Sequence, residues 1–305
     1  LPSRGAGPAA ASGERPPAPA GPPRPRWSSL FRLAGERLGD PVVARWLVEE
    51  AAGAPLAEVF SEPAPTRAEA ALWSMVERRL GGEPVQYVLG HWAFRSLDLL
   101  VDRRVLIPRP ETEVVVEVAL GELDLLGPRA HGAVVVDLGT GSGAIALSIA
   151  FERPKVSVWA TDISLDALAV ASANLAGLGA RAAGRARLAH GDWWGALPAS
   201  LEGQVSLAVS NPPYVALGEI SSLDLEVAGW EPMEALVAGP SGFEALEAVL
   251  SGAARWLASG SALVAELAPH QAQLAASRAE EVGLVDVSVR QDLAGRDRVL
   301  VARRP

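Results

Sequence analysis

Between Trp27 and Leu80 the apolar residues recur every three or four positions, the period of amphipathic helices. "VVARWLVEEAA" follows Asp40, a capping side chain, and Pro41, whose fixed φ suits a first helical position. "TRAEAALWSMVERRLGG" repeats the pattern, with Thr66 as the expected cap, arginines in the last turn and Gly81 as the stop. A small helical domain over residues 27–82 is expected. The period then changes. "PVQYVLG", "HWAFRSLDLLV" and "RRVLI" read as short strands, which predicts a β-hairpin linker over 83–107. "IPRPETE" leads from it into a helix running from about Thr112 to Leu123.

From Ala133 onward strand-like and helix-like runs alternate. "AVVVDL", "VSVWAT", "ARLAH", "VSLAVS" and "SALVAEL" are apolar and β-rich. "GAIALSIAF", "SLDALAVASANLA" and the stretches near Phe243–Leu257 and Pro269–Val282 have helical spacing. This alternation predicts an α/β domain over 108–305, a parallel sheet with helices on both faces. The last two strands, "LVDVSVR" and "DRVLVARR", are joined by a loop alone and should pair antiparallel.

Composition narrows the picture. The chain has 305 residues, 49% hydrophobic and 21% charged, enough for one large domain and a smaller one. Residues 1–26 are dominated by Pro, Ala and Gly, which cannot bury enough surface to offset ordering, so a disordered tail is expected there. An Arg-rich, acid-poor start also suits a transit peptide, but so many prolines and glycines disfavour an amphipathic helix. There is no cysteine, which excludes disulfides, thiolate metal sites and a cysteine nucleophile. That fits a reducing compartment, and the cytoplasm is the expected location. No metal is expected. No apolar run reaches the ~18 residues of a membrane span. A formal charge of −9 argues against a phosphate-tracking surface, so no direct nucleic-acid substrate is expected. Nothing in the pattern demands more than a monomer.

The candidate chemistry sits at the ends of the predicted strands. "VVVDLGTGSGAIAL" puts Gly139, Gly141 and Gly143 between a strand and a helix, where the backbone can turn sharply and approach a ligand. The spacing departs from the dinucleotide fingerprint. Asp162, at the end of the next strand, can accept from a ribose diol. Asp192 can accept from an adenine amino group, and Trp193 can lie against the ring, although paired tryptophans also serve as plain packing. An adenosine-type ligand follows from these positions.

"VSLAVSNPPYVAL" ends a buried strand in a rigid, donor-poor loop. Pro212 and Pro213 lack N–H groups, while the Asn211 carbonyl and the loop carbonyls offer acceptors. Tyr214 can stack on a planar group held there. An NH₂ substrate beside an adenosine-type cofactor suggests methyl transfer from S-adenosylmethionine, with S-adenosylhomocysteine as the product. The Asn211 NH₂ is expected to bond back into the loop or toward the cofactor.

"GEPVQYVLG", "VLIPRPETE", "VVDLGTGSGAIALSIA", "SNPPYV", "EPMEALVAGPSGFEAL" and "DLAGRDRVLVAR" together closely resemble the release-factor glutamine methyltransferases, the HemK/PrmC family. The likeness runs from about residue 40 to the end and is weakest in the helical domain. The resemblance implies a class I methyltransferase domain, Rossmann-like with seven strands, behind an N-terminal helical domain and a hairpin. It implies methylation of the side-chain amide (N5) of the glutamine in the GGQ motif of class 1 peptide-chain release factors, a step of translation termination. It implies that Gly139, Thr140, Gly141, Ser142, Gly143 and Asp162 hold the cofactor with Asp192, Trp193 and Asn211. It implies that Asn211, Pro212, Pro213 and Tyr214 hold the glutamine, with Asn211, Pro212 and Tyr214 catalytic. Trp230 stands where members usually have Tyr, which leaves an aromatic packing role there and no hydroxyl. Arg109 and Glu111 are candidates for the pocket wall, or else a surface arginine and a helix N-terminal carboxylate. The NPPY logic is shared with adenine-N6 methyltransferases of DNA or RNA, the main alternative. A nucleotide- or NAD(P)-binding protein is a weaker one, because it leaves NPPY unexplained.

Overall fold

A computed structural model describes residues 24–182 and 184–305 of the chain. It contains two compact units, one ending at Ser74 and the other starting at Met75. The tail expected for residues 1–26 lies outside the described residues as far as Pro23. Residues 25 and 26 are tied to the loop before Thr66. Arg26 bridges to Pro63, and the Pro25 carbonyl accepts from the Ala64 N–H at 2.8 Å.

The first unit is helical: α1 (Trp27–Leu38), α2 (Pro41–Ala52), α3 (Leu56–Val59) and the start of α4 (Thr66–Leu80). Asp40 caps α2 as expected, accepting from the Val42 and Val43 N–H groups at 2.8 and 3.0 Å. Thr66, in contrast, is the first helical residue and not the cap. The first bond of α4 runs from the Glu69 N–H to the Pro65 carbonyl, so Pro65 takes that place.

The second unit opens with two departures from the expected strands. "PVQYVLG" is a short helix, α5 (Val85–Leu89), ended by Gly90. Val85, Tyr87 and Val88 are buried, and a run this short carries too little periodicity to separate helix from strand. Arg78 donates to the Tyr87 and Val88 carbonyls at the helix end while pairing with Glu83. "RRVLI" forms no strand. Val105 and Ile107 are buried, but a turn bond from the Val105 N–H to the Asp102 carbonyl and two side chains satisfy their backbone instead of a ladder. The Tyr87 hydroxyl donates to the Val105 carbonyl at 2.5 Å, and the Ile107 N–H donates to Glu231 at 3.3 Å. Between them lies the expected hairpin, β1 (His91–Phe94) and β2 (Leu97–Leu100), paired antiparallel.

Helix α6 (Pro110–Leu125) starts at the second proline of "IPRPETE". The rest alternates as expected: β3 (Val134–Leu138), α7 (Ala144–Glu152), β4 (Ser157–Asp162), α8 (Leu165–Leu178), β5 (Ala186–His190) and β6 (Val205–Ser210). A two-residue strand β7 (Val215–Ala216), a short helix α9 (Leu225–Trp230) and β8 (Val237–Gly239) form an excursion before α10 (Glu244–Trp256). Then come β9 (Leu257–Glu266), α11 (Ala272–Glu281), β10 (Val285–Gln291) and β11 (Asp297–Arg303). Seven strands form one sheet in the order β10-β11-β9-β6-β3-β4-β5. All neighbours are parallel except β11, which runs antiparallel to both β9 and β10.

One apolar layer packs α6, α7 and the hairpin residues Phe94, Leu97 and Leu99 on the sheet; the other packs α10 and α11 with Trp194 and Trp256. Chain order reverses at β3, which has β4 on one side and β6 on the other. That reversal opens a crevice beyond the carboxyl ends of β3 and β6, the place where open α/β sheets take ligands. No helix among the described residues is long and apolar enough to cross a membrane.

Candidate active site

The glycine loop leaves β3 and is tied to β4. The Gly139 and Thr140 N–H groups donate to the Thr161 carbonyl at 2.9 and 2.8 Å. Beneath the loop, fully buried Asp137 accepts from the Thr140 hydroxyl at 2.6 Å and the Ala146 N–H at 3.1 Å. Burial pushes its carboxyl up to about 7 in spite of these bonds. Asp162 closes the loop from the end of β4, accepting from the Gly141 N–H at 2.8 Å and the Ser164 N–H at 2.9 Å. Burial raises its pKa against both bonds, and nearby Glu234 adds to the rise.

The NPPY loop leaves β6 beside it. Ser210 pairs with Leu138 of β3 and Ala265 of β9, and its hydroxyl donates to the Leu138 carbonyl at 2.7 Å. The Asn211 NH₂ donates to the Thr112 hydroxyl oxygen at 3.1 Å, and the Thr112 hydroxyl donates to Glu266 at 2.8 Å. The partner of Asn211 is thus the first turn of α6, not the loop itself. Among the described residues its carbonyl accepts no hydrogen bond and remains available. Glu266 ends β9 and is buried, which pushes its carboxyl up to about 7.

Behind the loop, the Gln271 NH₂ donates to the Gly242 carbonyl at 2.8 Å and the Tyr214 carbonyl at 3.4 Å. Gly242 has φ +81°, and a Cβ there would stand 2.8 Å from the Tyr214 carbonyl oxygen. Gly242→Ala should therefore destabilise the protein by about 1–3 kcal/mol through left-handed strain, with the clash on top. Denaturant unfolding of the variant tests this; unchanged stability would mean that the NPPY loop yields freely.

A cavity of about 370 Å³ lies between the two loops. Gly139, Thr140, Gly141, Ser142, Asp162, Asp192, Trp193, Asn211 and Pro213 all line it. Gly143, Pro212 and Tyr214 do not. A Cβ on Gly143 would come within 2.9 Å of Leu147, so this glycine serves the packing of α7. Pro212 is buried under the loop. The Tyr214 hydroxyl is pushed up by burial and by the neighbouring Glu266. The two adjacent tryptophans divide their work. Trp193 faces the cavity against Gly139, whereas Trp194 is buried, donates to the Val249 carbonyl at 3.0 Å and stacks on Trp256.

Arg109, Glu111 and Trp230 lie outside the cavity lining. Arg109 forms an ion pair with buried Glu231, and Glu111 pairs with Arg296 at 3.0 Å. Trp230 packs on the cluster of Tyr87, Val101, Val105 and Ile107, with the Arg103 guanidinium 4.8 Å above its ring. Sequence reasoning missed Thr112, Glu234 and Glu266. A carboxylate at the end of the apolar run "SALVAEL" was the available signal for Glu266.

The cavity wall is acidic. Asp162, Asp192, Glu234 and Glu244 contribute to it, and the one cation that lines it among the described residues, Arg104, is already paired with Asp102 at 2.6 Å. Such a wall favours a cationic ligand and repels a diphosphate.

Comparison with known proteins agrees with this geometry. Residues 26–90 match the family "PrmC N-terminal domain", and residues 123–225 match "Methyltransferase small domain". A "Release factor glutamine methyltransferase" of Xylella fastidiosa (strain 9a5c) is 39% identical over 282 residues, covering 91% of this chain and 98% of the relative. The chain belongs to the release factor glutamine methyltransferase family. Similarly named relatives from Bordetella pertussis and Cereibacter sphaeroides are 40% and 41% identical, covering 88% and 80% of this chain and 97% and 83% of theirs. Among solved structures, the hMettl16 catalytic domain in complex with a MAT2A 3'UTR hairpin superposes with a TM-score of 0.54 at 12% identity, covering 77% of this chain and 80% of that one. At that identity the likeness concerns fold alone. As a member of the family the chain is an enzyme, a methyltransferase, with the class I methyltransferase fold expected from its sequence.

Proposed function

We propose that this enzyme transfers a methyl group from S-adenosylmethionine to the side-chain amide nitrogen of the glutamine in the GGQ motif of class 1 release factors. The reaction would take place in the cytoplasm, where translation terminates. The observation that carries the reading is Asn211, whose NH₂ is occupied by Thr112 and whose carbonyl is free at the edge of the cavity.

The residues around the cavity fit the cofactor. Asp162 retains lone pairs for a ribose diol, Asp192 and Trp193 offer an acceptor and a ring face for adenine, and the acidic wall suits a sulfonium and an ammonium. When bound, S-adenosylmethionine supplies an electrophilic methyl group. The chain must then orient the nucleophile. The Asn211 side-chain carbonyl accepts one N–H bond of the glutamine amide in the amide's own plane, and a backbone carbonyl of the NPPY loop accepts the other. That holds the nitrogen lone pair perpendicular to the plane and lets charge build on nitrogen as conjugation is lost. An N-methylated, protonated amide is strongly acidic, so its proton leaves without a dedicated base.

The test is incubation of the purified protein with S-adenosylmethionine and a release factor, followed by mass spectrometry of the GGQ peptide. One added methyl on the glutamine is expected. Methyl groups appearing in DNA or RNA oligonucleotides, with none in the release factor, would overturn the reading in favour of an adenine-N6 methyltransferase.

A further inference from the structure

We propose that Thr112 and Glu266 are positioning residues, a hydrogen-bond relay that fixes which end of the Asn211 amide faces the substrate. The inference rests on the functional reading above and adds to it the device that sets acceptor polarity at the site.

The two ends of an asparagine amide have nearly the same shape and opposite hydrogen-bonding character. A flip would present an NH₂ to a substrate NH₂, donor against donor. Packing alone does not prevent this; hydrogen-bond direction does. The Thr112 hydroxyl has one hydrogen, and it goes to Glu266 at 2.8 Å. Only oxygen lone pairs then remain toward Asn211, and only the NH₂ end can use them, at 3.1 Å. The three groups come from α6, β9 and the end of β6, and the pairing of Ser210 with Ala265 keeps the last two side by side.

Glu266 is the group that sets the direction. As a carboxylate it can only accept. Once protonated it can donate to the Thr112 oxygen, which frees the threonine hydrogen to seek the Asn211 carbonyl and reverses the relay. Four charged or titratable neighbours face it: Arg298 of β11 with its guanidinium at 4.0 Å, Arg109 and Glu111 at the start of α6, and Tyr214 of the NPPY loop. Arg298 and Arg109 favour the carboxylate, while burial and Glu111 oppose it, which pushes the pKa up to about 7. The active, accepting form therefore predominates above that pH and is lost below it.

The experiment measures kcat of the full-length protein with saturating S-adenosylmethionine and release factor, between about pH 5.5 and pH 8.5. Wild-type kcat should fall as the pH drops through about 7. Thr112→Val keeps the shape but removes the hydroxyl, and should lower kcat at pH 8 by about tenfold or more. Its dissociation constant for S-adenosylhomocysteine should stay unchanged. Thr112→Ser should restore both the rate and the acid fall. Glu266→Gln keeps an acceptor that does not titrate, so its acid fall should disappear. If Thr112→Val turns over at the wild-type rate, or if wild-type kcat shows no acid fall, the relay is structural only and the inference is wrong. A wild-type protein that leaves the release factor unmethylated would instead overturn the proposed function, and the relay with it.

Discussion

Asn211→Ala is expected to slow methyl transfer by ~10²–10³, a barrier increase of ~2.7–4 kcal/mol, by analogy with deleting one preorganised polar group at an oxyanion site. Cofactor binding should change far less, because the glycine loop and Asp162 keep their own bonds to Thr161, Gly141 and Ser164. Asn211→Asp is the sharper variant. It retains an acceptor oxygen but removes the NH₂ that bonds to Thr112. Two carboxylates would then compete for the single hydrogen of the Thr112 hydroxyl, since Glu266 already holds it. The added charge lies beside a cationic cofactor, so S-adenosylmethionine should bind with near-normal or tighter affinity while transfer is much slower. Single-turnover kinetics with saturating release factor decide the matter. Wild-type rates in both variants would make Asn211 a structural residue and remove the basis of the proposed chemistry.

Asp162→Ala should weaken S-adenosylmethionine binding by ~1.5–3 kcal/mol, the worth of hydrogen bonds to a charged acceptor. That corresponds to roughly a 10- to 150-fold rise in the dissociation constant. The structure adds a second source for the loss. Asp162 accepts from the Gly141 and Ser164 N–H groups, so its removal also frees the loop that it shapes. Asp162→Asn separates the two contributions, because one amide oxygen can keep a loop bond but offers no charge to a diol. Calorimetry with S-adenosylhomocysteine would give intermediate affinity for Asn if both contributions operate. Unchanged affinity in Asp162→Ala would mean that this carboxylate does not hold the ribose.

The features legible in the sequence were those that one segment determines alone. Asp40 capped α2 because its acceptor lies next to the donors it satisfies. The alternation after Ala133 gave the parallel sheet and its antiparallel end because each strand and helix carries its own period. The glycine loop and NPPY were legible because glycine frees the backbone, and proline restricts it, wherever they stand. What escaped depends on a partner far along the chain. Val105 and Ile107 alternate like a strand, yet a tyrosine hydroxyl and Glu231 take their backbone groups, and no local pattern announces that. Thr112 and Glu266 are 154 positions apart, and their meeting with Asn211 follows only from strand order. The tryptophan pair was ambiguous for a related reason. Its two rings point to different neighbours, Trp193 to the cavity and Trp194 into the core against Trp256.

The short parallel pairing of β7 with β8 joins Val215 to Val237, and the Val215 N–H donates to the Leu236 carbonyl at 3.0 Å. A second tie holds the same excursion where Arg109 and Ile107 grip Glu231. Residues 217–229 hang outside both ties, and their exposed contact between Glu226 and Arg79 is of a kind worth little in water. Closing a loop costs free energy only as the logarithm of its length, about 0.6 kcal/mol for each doubling. Residues can therefore be added or removed in this outer lip without shifting Asn211 or the glycine loop. The fold separates a part whose length is free to drift from a part whose geometry is fixed.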